Sequence, residues 1–210
     1  MLMLYTEDMY KMDKYPYFGY MRGAYTKAEI KEIVEYADIF GIEVIPCIQT
    51  LAHLKMALQW DYANDFRDTE NILLADEPKT YEFIEEMIKT TRECFKSDRI
   101  HIGMDEAFTL GMGQYLNKHG YKERFEIISD HLKKVYEIVK KYDFKPIMWS
   151  DMIFNEKMPE NVSERIPDGV DMVYWEYWNL DEDFYTENIK RHQAKGFQPV
   201  INKELRAGLI

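Results

Sequence analysis

The stretch His-Ile-Gly-Met-Asp-Glu-Ala at 101–107 carries an adjacent acid pair, Asp105 and Glu106, at the end of a short apolar run. Two neighbouring carboxylates repel, so ionising both costs free energy. Folding gains nothing evident from such a pair, whereas catalysis gains a proton donor and an orienting anion in one place. Glu106 fits a general acid/base, because a second carboxylate and aromatic walls should raise its pKa towards neutrality. Asp105 could be a nucleophile, a metal ligand or an orienting anion. Two carboxylates that divide nucleophile and acid roles with retention normally lie across the substrate from each other, about 5 Å apart. Sequence neighbours are poorly placed for that division of labour. They are better placed if the substrate brings its own nucleophile, with Asp105 orienting it and Glu106 moving the proton.

Other side chains suited to a site also gather where apolar runs stop. Glu7 and Asp8 follow the first run, and His53 lies just beyond the second. His53 could bridge a carboxylate at the first run to Glu106 and tune it. Trp149 and Trp175 end two later runs, where indoles suit the apolar face of a sugar ring. Tyr177 shares the face of Trp175 by alternation, and its hydroxyl could donate to a substrate carbonyl. Asp151 could accept from sugar hydroxyls. His101 opens its run and reads as structural. The five histidines lack a paired spacing such as His-x-x-x-His and the two cysteines are far apart, so no metal or other cofactor is expected.

These groups need a scaffold that brings strand ends together. Strands are expected at 2–5, 43–49, 99–104, 145–149, 171–177 and 198–201. Helices are expected from Thr26 to about Phe40, from about Asp76 through Phe95, and over 123–142 and 183–195. Thr26 with Glu29 reads as a capping box, and Gly41 suits a left-handed helix end. No clear helix is legible between the fourth and fifth strands. Near-continuous apolar strands separated by amphipathic helices imply a parallel sheet covered by helices. No glycine-rich phosphate loop follows any strand. Polar and aromatic residues at the C-terminal strand ends are the habit of a TIM barrel, which needs eight strands. About six are legible, so the expected fold is an incomplete TIM (β/α)8 barrel lacking its first strand and at least its last. Residues 1–210 form one partial barrel domain with an atypical tail at 202–210.

The chain has 210 residues, 46% hydrophobic and 31% charged, as a folded domain requires. Its net charge of −11 argues against nucleic acid or an anionic membrane as partner. Cys47 and Cys94 read as buried thiols. The N-terminus lacks a basic region before its first acids, and no apolar run reaches membrane-spanning length, so a cytoplasmic location is expected. An open barrel leaves two sheet edges, which implies self-association.

His-Ile-Gly-Met-Asp-Glu resembles the His-x-Gly-Gly-Asp-Glu signature of glycoside hydrolase family 20, the β-N-acetylhexosaminidases. The likeness spans most of the chain: Tyr-Thr-Glu-Asp at 5–8, Val-Ile-Pro-Cys-Ile-Gln-Thr-Leu-Ala-His at 44–53, Met-Trp-Ser-Asp at 148–151 and Val-Tyr-Trp-Glu-Tyr at 173–177 are similar to successive strand ends. Met104 stands where Gly is commoner, and Gln-Thr-Leu-Ala-His stands for an Asp-x-Pro-Gly-His pattern, as in a divergent, often intracellular branch. The resemblance implies substrate-assisted retaining hydrolysis of terminal β-linked N-acetylglucosamine or N-acetylgalactosamine. Asp105 would orient the 2-acetamido group and Glu106 would serve as acid, then base. Asp8 or Glu7 with His53 would support Glu106, and Trp149 and Trp175 would line the pocket. The family's arginine-bearing first strand and its last strand, with a further Trp and acid, have no counterpart here. An inactive or carbohydrate-binding remnant is therefore the competing expectation, and a barrel hydrolase using Asp105 as covalent nucleophile a weaker one.

Overall fold

A computed structural model describes residues 1–154 and 159–202. Six strands, β1 (Leu2–Glu7), β2 (Val44–Ile48), β3 (Arg99–His101), β4 (Lys145–Trp149), β5 (Asp171–Trp175) and β6 (Val200–Asn202), pair in parallel in chain order. A sheet whose spatial order follows the sequence winds in one direction, as a barrel does, and has no reversal point of the doubly wound kind. Helices α1 (Lys27–Ile39), α3 (Pro78–Cys94), α5 (Arg124–Lys141) and α7 (Glu182–Ala194) connect the strands, with the short helices α2 (Lys55–Leu58), α4 (Gln114–His119) and α6 (Val162–Arg165) between them. The architecture is the expected incomplete α/β barrel. Among the described residues no helix is long and apolar enough to cross a membrane.

Alternation along the strands divides the core in two. Even-numbered residues such as Val44, Ile48, Ile100, Ile102, Met148 and Met172 pack outwards against Ile30, Val34, Phe83, Met87, Leu132 and Val135 of the helices. Odd-numbered Ile45, Cys47, Ile147, Trp149 and Val173 form a separate inner cluster, flanked by Met3, Trp175 and Val200. This inner face is the lumen side, and its parity carries forward to the residues just past each strand. Leu2 and Tyr5 on edge strand β1, and Ile201 on edge strand β6, are exposed.

Local features follow the sequence closely at α1. Thr26 Oγ1 accepts from the Glu29 amide, and Glu29 accepts from the Thr26 amide at 2.7 Å. Gly41 then takes φ 66° just beyond the helix. The differences lie in shorter pieces. β3 stops at His101 rather than Met104, because Gly103 and Met104 take φ of 72° and 73° and leave the extended region. A single helical turn, α6, occupies the β4–β5 connection; four residues carry too little periodicity to be legible. Beyond Asn202, which ends β6, the expected tail lies outside the described residues.

His131 of α5 anchors a helix beneath the β2 end. Its Nε2 lies 2.9 Å from the Thr50 carbonyl and its Nδ1 3.1 Å from the Tyr81 hydroxyl. Burial pushes its pKa down to about 4, against the weaker opposing pull of the Thr50 carbonyl. The unfolded chain therefore binds the extra proton first, and stability drains away as pH falls through the ordinary histidine range towards about 4. His131→Gln should lose less stability than the parent between about pH 7 and about pH 5. Comparing urea midpoints of the two proteins isolates this residue from every other titrating group; parallel pH slopes would refute the assignment.

Candidate active site

The residues after β3 are positioned by the last ladder bonds and then increasingly by side chains. The Ile102 amide still donates to the Ile147 carbonyl at 2.8 Å. The Gly103 amide donates to His101 Nδ1 at 3.1 Å, the Met104 amide to Gln49 Oε1 at 3.3 Å and the Glu106 amide to Asp151 Oδ2 at 3.0 Å. Buried amides must find acceptors, and three neighbouring side chains supply them. Glu106 itself has φ 49°. Strict alternation would send Asp105 and Glu106 to opposite sides. The left-handed residues break that alternation, and both carboxylates turn to one group.

That group is His53. Its Nε2 lies 3.1 Å from Asp105 Oδ2 and 3.4 Å from Glu106 Oε2, without the alignment of a full hydrogen bond to either. Asp105, with Glu106 and Glu7 behind it, raises the His53 pKa against the opposing effect of burial, so the imidazolium is favoured. The other Asp105 oxygen, Oδ1, accepts from Gln49 Nε2 at 2.8 Å. Glu106 is the open member of the pair, with 41% of its side chain exposed against 14% for Asp105.

The acids at the end of β1 are held by a different partner. Arg22 bonds Glu7 Oε2 at 3.0 Å and Asp8 Oδ1 at 3.2 Å. Burial raises the Asp8 pKa and Arg22 opposes it. The anticipated bridge from His53 to a β1 carboxylate is thus replaced: Arg22 takes both β1 acids, and His53 contacts the acid pair. The register of β1 against β2 slips between Tyr5 and Glu7, which re-aims these residues.

Trp149 is buried in the lumen, with its ring 4.2 Å from the ring of His101. His101 is fully buried, and desolvation drives its pKa down to about 3 against the opposing charge of Asp105. It is neutral and structural. Because β3 is so short, it sits at the strand end instead of far from it. Trp175 is partly buried and stacks on Tyr177 at 5.5 Å. Trp175 Nε1 donates to Asp151 Oδ1 at 3.4 Å. Asp151 therefore already serves two protein donors, and burial, with Asp105 nearby, lifts its pKa to about 6. Among the described residues no group of three or more His, Cys, Asp or Glu side chains is arranged to hold a metal ion.

Two residues at this site were given no role by the sequence reading, although Gln49 opens the polar group at the end of the second strand. Gln49 follows β2 with the parity of Ile45 and Cys47, a signal that could have placed it. Arg22 lies in the β1–α1 loop, fourteen positions beyond Asp8, and no periodicity points to it. The arrangement is a carboxylate fixed by Gln49, an imidazole facing it and an open carboxyl group, with an indole and a phenol ring nearby.

Comparison with known proteins agrees with this geometry. Hexosaminidase D from Bos taurus is 27% identical over 206 residues, covering 88% of this chain and 58% of that protein. Hexosaminidase D from Homo sapiens is 28% identical over 200 residues, covering 88% of this chain and 41% of that protein. The chain thus spans about half the length of these relatives. The β-N-acetylhexosaminidase of Bacteroides fragilis superposes with a TM-score of 0.72 at 20% identity, over 97% of this chain and 44% of that one. A mutant Streptomyces plicatus β-hexosaminidase in complex with product (GlcNAc) superposes with a TM-score of 0.67 at 20% identity, over 96% of this chain and 41% of that one. The model for the glycosyl hydrolase family 20 catalytic domain matches residues 4–204. With a singly wound parallel sheet presenting an acid pair beyond its third strand, the chain belongs to glycosyl hydrolase family 20.

Proposed function

We propose that this chain carries the catalytic centre of a β-N-acetylhexosaminidase that removes terminal, non-reducing β-linked N-acetylglucosamine or N-acetylgalactosamine with retention. The observation that carries the reading is the grouping of Asp105 and Glu106 on one His53 nitrogen, with Asp105 tied down by Gln49 and Glu106 left open. In the first step the substrate's acetamido oxygen bonds to its own anomeric carbon. The glycosidic bond breaks, and the Glu106 proton passes to the leaving oxygen. In the second, water attacks the anomeric carbon, Glu106 takes its proton, and the oxazolinium ring opens. Family 20 is a known exception to the two-carboxylate scheme. Asp105, an anion held on one oxygen, would orient the acetamido N–H and stabilise the positive charge that develops. His53, Glu7 and Asp8 would set the local potential. Trp149 would floor the pocket, and Trp175 and Tyr177 would form a wall backed by Asp151.

The test is hydrolysis of a chromogenic N-acetyl-β-hexosaminide by the purified chain. Asp105→Asn should lower kcat by about 10²–10³-fold, the scale of one preorganised electrostatic contact. A thiazoline analogue of the cyclic intermediate should inhibit, and a fluorinated sugar should trap no covalent adduct. An Asp105 adduct would support the covalent-nucleophile route instead. Sugar binding without turnover would favour the remnant reading.

A further inference from the structure

We propose that Gln49 and Asp151 are positioning residues that clamp the acid pair from its two flanks, Gln49 aiming Asp105 and Asp151 aiming Glu106. The inference rests on the functional reading above for its kinetic consequence, but its geometry stands without it.

The segment 103–106 is an awkward one to hold. Gly103, Met104 and Glu106 have φ of 72°, 73° and 49°, and left-handed backbone at non-glycine residues is unfavourable. Such a segment persists only when its surroundings over-determine it. Here the last ladder bond, from the Trp149 amide to the Gly103 carbonyl, and His101 hold only the start of the segment, and beyond it two side chains from the neighbouring strand ends take over. Gln49, fully buried beyond β2, uses its whole amide: Oε1 accepts from the Met104 amide, while Nε2 donates to Asp105 Oδ1 and to the Tyr5 hydroxyl at 3.1 Å. Its head presses so closely on Gly103 that a Cβ there would fall 2.1 Å from Oε1. Asp151, beyond β4, accepts from the Glu106 amide on one oxygen and from Trp175 on the other.

The two grips differ in kind. Gln49 reaches the Asp105 carboxylate itself. It holds Oδ1 with a neutral donor and leaves Oδ2 turned to His53. Asp151 reaches only the backbone of Glu106, so it sets where that side chain starts and leaves the head free to reach substrate. Neither residue needs to touch the sugar to matter, because about 1 Å of misplacement in a reacting group can cost about 10²-fold.

The variants are Gln49→Met, which keeps length and removes both amide functions, and Asp151→Ala, with Asp151→Asn as the conservative replacement that keeps an acceptor for the Glu106 amide. Kinetics on a chromogenic N-acetyl-β-hexosaminide should show kcat lowered about 10–100-fold in Gln49→Met and Asp151→Ala, with KM within about threefold. Asp151→Asn should recover most of that loss. If Asp151→Asn is as impaired as Asp151→Ala, the carboxylate does not act as a backbone acceptor and the proposal falls. The second readout needs no turnover: the titration of the His53 ring followed by NMR. The charges facing His53 are Asp105, Glu106 and Glu7, and Asp105 dominates. Releasing Asp105 in Gln49→Met should bring the His53 midpoint down towards the ordinary imidazole value. An unchanged midpoint overturns the clamp on Asp105 whether or not the chain hydrolyses sugars. Absence of turnover in the parent, with the midpoint shift present, would count against the functional reading and leave the clamp standing.

Discussion

Glu106→Gln is expected to lower kcat/KM on an N-acetyl-β-hexosaminide by about 10²–10⁴-fold, the contribution of a positioned general acid. The amide is isosteric and cannot donate an acidic proton to the leaving oxygen. It should fold as the parent does, because the Glu106 side chain is the more exposed of the pair and its contact with His53 is a loose 3.4 Å. The fixed features at this position belong to its backbone: φ 49° and the hydrogen bond to Asp151, which glutamine keeps. Thermal midpoints within a degree or two, together with the loss in rate, would place the effect on chemistry. Turnover within tenfold of the parent would remove Glu106 from the acid/base role. An activated substrate sharpens the test. A leaving group of low pKa needs little protonation, so Glu106→Gln should be far less impaired on it than on a natural glycoside.

Gly103→Ala is expected to cost more than about 2 kcal/mol of stability, since strained φ and steric conflict add at one position. A Cβ on Gly103 would meet Gln49 Oε1 at 2.1 Å, Gln49 Cδ at 2.6 Å and the Ile48 carbonyl oxygen at 2.8 Å, with φ at +72°. Gln49 could swing away, but it would abandon Asp105 and the Met104 amide. The β2 carbonyl has no such freedom. A chain that still folds should therefore lose activity beyond its loss of stability. Urea unfolding and initial rates on the same preparation check both; a variant with parental stability would show that the 103–106 segment adapts freely. Met104 marks the contrast. It takes nearly the same φ, 73°, yet is fully buried in the outer core. The strain of about 1–2 kcal/mol is offset by burying a side chain worth about 1.5–3 kcal/mol, which explains how a residue other than glycine stands there.

Much of the scaffold was legible because its causes are local. Alternation at Ile45–Cys47, Ile147–Trp149 and Val173–Trp175 put three pairs on one face, and the structure gathers them in one inner cluster. Of the 3.6-residue stripe of α5 through Ile128, Leu132, Val135, Ile138 and Val139, the core buries all but Ile138, which is partly buried against it. Continued past the strand ends, the same parity is shared by Asp105, Asp151 and Gln49. It failed where the backbone leaves the extended region. The slip between Tyr5 and Glu7 moved the first acids onto Arg22, and the left-handed turn at 103–106 swung Glu106 to the side of Asp105.

The sequence by itself determined the order of the elements, the parallel sheet and the placing of an acid pair beyond a strand, since propensity, period and composition act over a few neighbouring residues. Tertiary structure alone decided that His53 faces both acids, that Arg22 holds the other two, and that Gln49 and Asp151 grip the pair. Those contacts join residues from different strand ends, and they depend on a few positive φ angles that cancel the alternation on which any linear reading relies.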